Sequence, residues 1–143
     1  MVGGNKLKPE LKVIIYEQRK LFRELLNLLD EQYDLILGKD VKLLEKVAKK
    51  LENASRNVAK LEIQRRNIVG SDFSMGSLIE ESDDKNIKEA YEEIKQTIKM
   101  IEIQKESNDV ILKQKLFFNK KMLNVLKPSQ GIGTYNYSGQ LGK

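Results

Sequence analysis

Leu35-Ile36-Leu37-Gly38-Lys39-Asp40-Val41-Lys42-Leu43-Leu44 decides the fold, because it stops one apolar-periodic run and starts another across a connection of Gly38, Lys39 and Asp40. A glycine just past the last periodic residue is a helix stop, and an aspartate ahead of the next run is an N-cap. Helices joined this closely must pack antiparallel. Upstream, Leu11, Ile14, Ile15, Leu21, Phe22, Leu25, Leu28, Leu29, Leu35 and Ile36 recur at helical spacing between Lys8 and Leu37. They form one wide apolar stripe. Pro9 is tolerated in the first turn, where a missing N–H has no helical partner to lose.

Downstream, Val41 to Val69 carries a heptad. Leu44, Leu51, Val58 and Arg65 share one position, and Val47, Ala54, Leu61 and Ile68 its partner. This is a narrow coiled-coil seam, with Arg65 expected to snorkel outward at its end. From Gly70 to Asp84 the pattern fails in a turn-rich stretch, with a short helical turn expected at Gly76 to Glu81. Phe73, Met75, Leu78 and Ile79 are expected to cover one end of the helices. A third long helix then starts with Ser82 or Asp83 as cap and runs to Lys127, where Pro128 bars continuation.

That third helix should exceed 60 Å, at about 1.5 Å per residue, and overhang the other two. Its main seam is Ile87, Ile94, Ile101, Asn108, Lys115 and Met122 with Ala90, Thr97, Gln104, Ile111, Phe118 and Val125. Gln104, Asn108 and Lys115 interrupt it. Either the seam thins where a neighbouring helix ends, or these polar groups bond one another and fix the register. A second stripe, Leu112, Leu116, Leu123 and Leu126 with Asn119 between, lies about 80° to 100° around the helix. Phe117 lies further round. A helix with two apolar faces needs two neighbours, either both from its own chain or one of them a partner helix laid into the surplus surface.

The residues beyond Lys127 are almost uncharged. Four glycines and Pro128 forbid regular structure there, while Ile132, Tyr135, Tyr137 and Leu141 make the tail stickier than an inert linker. The expected architecture is all-α, an antiparallel three-helix bundle or coiled coil with a long third helix and a flexible C-terminal tail. Residues 1–127 are the helical domain, with helices at about 8–37, 41–69 and 83–127, and residues 128–143 are the tail.

Composition narrows the function. At 143 residues there is room for one core, and 33% charged residues with 6% aromatics suit helices packed side by side. The chain has no cysteine, histidine or tryptophan, which removes disulfides, Ser-His and Cys-His nucleophile pairs and histidine- or cysteine-based zinc sites. No catalytic, cofactor-binding or metal-binding residues are assigned, no cofactor is expected, and the protein is not expected to be an enzyme. The Gly131-x-Gly133 pair has Asn136 where a dinucleotide fingerprint needs glycine. The adjacent acids Glu80, Glu81, Asp83 and Asp84 cannot face one another across a cleft. A net charge of +5 raises nucleic acid as a partner, but the basic residues are interleaved with acids and 21 of 26 are lysine. They read as solvated helix faces. With no apolar run long enough to span a bilayer and no signal-peptide h-region, direct membrane insertion is not expected and the expected address is cytoplasmic.

Several of these pieces together resemble the FlgN-type flagellar export chaperones. They are Gly38-Lys39-Asp40-Val41-Lys42-Leu43-Leu44, Leu61-Glu62-Ile63-Gln64-Arg65-Arg66, the short Met75-Gly76-Ser77-Leu78-Ile79 element, the long third helix and the ending Thr134-Tyr135-Asn136-Tyr137-Ser138-Gly139. That family's tail usually has an aspartate after the tyrosine, and Asn136 keeps the shape while dropping the charge. The resemblance implies a cytosolic chaperone of type III secretion that binds helical termini of hook-filament junction proteins, prevents their premature assembly and delivers them to the export gate. It implies substrate binding through the C-terminal part, here assigned to Leu112, Leu116, Phe117, Phe118, Leu123 and Leu126. It also implies docking to the cytoplasmic domain of the membrane export-gate protein through a tail tyrosine, with Tyr135 first and Tyr137 second. The alternative is a structural coiled-coil protein or adaptor that self-associates through the same surface, and a homo-oligomer of the free chain is compatible with either.

Overall fold

The computed structural model describes residues 7–70 and 74–126, with side chains through residue 119. Among these residues there are four helices and no strand: α1 (Pro9–Leu37), α2 (Val41–Val69), α3 (Met75–Glu80) and α4 (Lys85–Leu126). The chain is all-α, as its periodicity requires.

Each helix end has a local cause. Pro9 occupies the first helical position of α1, and its fixed φ starts the helix although Lys8 offers no side-chain cap. At the other end Gly38 has φ −88°, so the left-handed freedom of glycine is not used there. The Gly38 N–H donates to the carbonyls of Asp34 and Leu35, both at 3.2 Å, and the chain turns into α2 as Asp40 Oδ1 accepts from the Leu43 N–H at 3.0 Å. Glycine is needed at Gly70 instead, where φ is +82° and the N–H returns to the Arg66 carbonyl at 2.9 Å.

Ser74 caps α3 by accepting from the Ser77 N–H at 3.1 Å. Met75 and Ile79 are buried in one cluster with Leu11, Ile15, Val69 and Ile87, and Leu78 packs against its edge. The short helix therefore closes one end of the long ones, as its apolar residues predict; Phe73 lies outside the described residues. The cap of α4 is Asp84, not Ser82 or Asp83. Its Oδ1 accepts from the N–H groups of Asn86 and Ile87, while Ser82 Oγ accepts from the Asp84 N–H. Buried Ser82 spends its hydroxyl on ordering the connection, and the helix start moves on to Lys85.

α1 is the shared element. It packs along both α2 and α4, whereas α2 and α4 hardly approach each other. α2 runs antiparallel to it, with Gln18 meeting Glu62 near one end and the Gly38 turn closing the other. α4 runs parallel to it, as Lys12 pairs with Asp84 at 2.9 Å, Arg23 forks onto Glu93, and Asn108 meets Leu29 further along. The narrow seam of α2 follows from having α1 as its one neighbour over most of its length: Val47 and Ala54 are buried along it, and Val69 joins the cluster at the α3 end. Arg65 does not snorkel outward. It is half-buried and forks onto Glu62 one turn back.

The polar interruptions of the α4 seam do both things expected of them. Asn108 is 2% exposed, and its amide donates to the Leu29 carbonyl and to Gln32 Oε1, both at 2.9 Å. Its own oxygen accepts from Gln104 at 2.9 Å. Further on, where α1 ends, Lys115 turns its ammonium onto the Ile36 and Gly38 carbonyls.

Replacing Asn108 with alanine removes two donors from acceptors on α1, one of them the Leu29 carbonyl. A loss of about 1–3 kcal/mol in urea unfolding is expected. The Asp84 carboxyl is held below the usual carboxylate range first by the Lys12 hydrogen bond and then by backbone N–H groups, and Glu93 is held down by Arg23. Because both folded values lie below the unfolded ones, the stabilisation is complete above the unfolded range of about 4 and is lost as pH falls through the folded values. The thermal midpoint should therefore hold above about pH 5 and drop as the pH falls from there towards about 3. The drop should be smaller in an Asp84→Asn, Glu93→Gln double variant followed by circular dichroism.

Candidate protein-binding surface

Parallel packing that starts at Asp84 and Lys12 leaves all the extra length of α4 at its C-terminal end. α1 stops at Leu37, and the stretch from Leu116 to Leu126 runs on for about 16 Å past the last α1 contact made by Lys115. This overhang and the α1–α2 turn enclose a cleft of about 610 Å³. Leu35, Leu37, Val41 and Leu44 line it from the turn, and Leu112, Leu116 and Asn119 from α4. The lining is apolar because a tight turn between two amphipathic helices brings the last stripe residues of one beside the first of the next. Lys115 sits at its edge and satisfies two carbonyls that the end of α1 leaves open.

The proposed binding residues separate into groups. Leu112 is half-buried in the cleft and Leu116 stands at its lip, 38% exposed. Phe117 and Phe118 are 64% and 61% exposed and do not line the cleft. The periodicity places Phe118 in the main seam, and the structure corrects that: α1 has already ended, and no other helix among the described residues covers it. Leu123 and Leu126 belong to the last turns of α4, and their side chains are outside those described. Tyr135 and Tyr137 lie outside the described residues.

One apolar line escaped the sequence reading. Ile103, Val110 and Phe117 repeat at seven-residue spacing and are all exposed, with Met100 beside them. Tyr33 of α1 shares a shallow recess with Ile103 and Val110. At 100° per residue this line is about 140° around α4 from Leu112 and Leu116. Its heptad spacing is visible in the sequence.

Lys115 links the turn to the overhang, and replacing it with alanine should loosen the cleft wall. Amide hydrogen exchange at residues 35–41 should speed up, with a stability loss of about 1–2 kcal/mol for the charge-assisted hydrogen bonds.

The model of one protein family, described as FlgN protein, matches residues 1–143. No curated protein and no solved structure matches the chain.

Proposed function

The chain belongs to the FlgN family, a family of flagellar export chaperones, and from that premise we propose that it binds helical termini of hook-filament junction proteins and delivers them to the export gate. In this reading it works in the cytoplasm as part of type III secretion and keeps its cargo from assembling early. The observation that carries the assignment of the surface is the open apolar cleft between the α1–α2 turn and the overhang of α4. An amphipathic cargo helix laid along Leu112 and Leu116 and onward along α4 buries apolar surface that each partner otherwise exposes.

Burying a leucine side chain contributes about 1.5–3 kcal/mol, so a few such contacts give moderate affinity once the ordering of the cargo helix is subtracted. Moderate affinity suits a chain that must be released for export. Binding needs no covalent step, and the role assigned is that of a chaperone and not an enzyme. Leu112, Leu116, Phe117, Phe118, Leu123 and Leu126 form the proposed cargo surface, and the tail tyrosines Tyr135 and Tyr137 the proposed contact with the gate.

The exposed Ile103, Val110 and Phe117 line, on another face of α4, favours a second reading, in which α4 mediates self-association. Light scattering separates the two. The chaperone reading expects a complex of one chain with one cargo molecule, and the adaptor reading expects an oligomer that cargo does not dissociate.

Leu116→Asp combined with Leu123→Asp should weaken calorimetric binding of a hook-junction protein by about tenfold or more, since each places a charge on the apolar surface. Unchanged binding would remove the stripe from the cargo site. Deleting residues 128–143 should spare cargo binding and abolish retention by the cytoplasmic domain of the gate protein in a pull-down; retained docking would refute the tail assignment.

A further inference from the structure

Because α2 and α4 each pack on α1 and hardly on each other, the side of α1 between them is an open trough. Towards the α3 end it widens into a groove of about 490 Å³. Gln18 and Phe22 of α1 line it from below, Glu62, Arg65 and Arg66 from α2, and Tyr91, Ile94, Lys95 and Ile98 from α4. This groove lies roughly 30 Å along α4 from the Leu112 and Leu116 cleft. It is a separate place with different chemistry.

Two observations say what it fits. Gln18 is 6% exposed, yet its side chain makes one long hydrogen bond, from Nε2 to Glu62 Oε1 at 3.4 Å. Its amide oxygen has no donor among the described residues, although a carboxamide has four hydrogen-bonding positions and a buried one is normally satisfied. The rim is also cationic. Arg65 and Arg66 both bond the single Glu62 carboxylate, and across the groove Lys95 stands 5.3 Å over the Tyr91 ring. One carboxylate shared by two guanidiniums leaves positive charge in excess on the α2 wall, while on the α4 wall Lys95 is paired with Glu92 at 3.3 Å.

We propose that this groove docks an amphipathic helix of a partner protein, one with acidic side chains along the edge of its apolar face and a hydrogen-bond donor at its centre. The shape calls for a helix, because a trough between two helices resting on a third is completed by a fourth lying along it. Phe22, Ile94 and Ile98 take its apolar residues, Gln18 accepts from its central donor, and Arg66 and Lys95 meet its acids. A second copy of this chain fits less well, since at +5 it brings its own positive charge to a positive rim.

The test uses the full chain and a synthetic peptide of about five helical turns, with a leucine stripe, glutamates flanking it and one central serine. A counterpart carries lysine for every glutamate. In fluorescence anisotropy the glutamate peptide should bind about tenfold or more tighter than the lysine one, and Arg66→Glu with Lys95→Glu should reverse the order. Both side chains are largely solvent-facing, at 72% and 51% exposure, so this variant should fold as the parent does. Gln18→Leu should erase the advantage of the serine peptide over an alanine version, and Leu116→Asp should change nothing. Equal binding of the two peptides, or indifference to the Arg66 and Lys95 changes, would overturn the proposal. So would loss of binding in Leu116→Asp, which would assign the peptide to the distal cleft, or a doubled mass in light scattering with the groove protected, which would assign it to a second copy.

Discussion

The buried carboxamide of Asn108 sets the alignment on which the rest of the molecule depends. It is enclosed between α4 and α1, with both amide hydrogens given to α1 acceptors and its oxygen taken by Gln104. Apolar seam residues alone would tolerate a slip of one heptad, since each Ile or Ala would meet another apolar position. A slipped Asn108 would lose its Gln32 partner and bury an amide against side chains that cannot answer it, a cost of about 1–3 kcal/mol. A single polar seam residue therefore selects one register out of several with similar apolar burial.

From that register the outer contacts follow. With Asn108 opposite Leu29, the start of α4 falls beside Lys12, Glu93 comes within reach of Arg23, and Lys115 arrives where α1 exposes its last carbonyls. α4 has 42 residues against 29 in α1, so the excess has to emerge beyond Leu37. Lys115 marks the border. Before it one face of the helix is covered by α1, and after it no helix among the described residues covers the same apolar pattern, which is why Leu116 and Phe118 are exposed while Ile87 and Ile94 are buried.

The elements themselves were legible because each was written redundantly. Periodicity, the Asp40 cap and the Pro9 start agree on α1 and α2, and consistency across such signals is what specifies local structure. Where only one signal was present, the reading slipped. Gly38 does cap α1, but in extended backbone, so nothing there depends on its being glycine. Before α4 the sequence points to Ser82 or Asp83 as the cap, whereas the buried Ser82 orders the connection and Asp84 caps the helix. Arg65 was read as snorkelling because its heptad position says nothing of the Glu62 one turn back. Phe118 was placed in a seam because periodicity tells which face is apolar, not where the opposing helix ends.

The same limit explains why the concave surfaces were harder to read than the helices. A groove is a relation between elements, and heptads in α2 and α4 would be identical whether the two helices touched or stood apart. The narrowness of the α2 stripe was the available clue: a helix with Val47, Ala54 and Val69 as its buried residues has surface for one neighbour, not two. Once α1 is the only helix that α2 can afford to cover, α4 must sit on α1 as well, and the trough between them stays open. The overhang cleft and the trough are thus two consequences of one arrangement. They differ in lining because α2 ends among arginines and begins among aliphatic residues. The distal cleft meets Val41 and Leu44 where the trough meets Arg65 and Arg66, so one helix run antiparallel to α1 presents aliphatic side chains at one end and guanidiniums at the other.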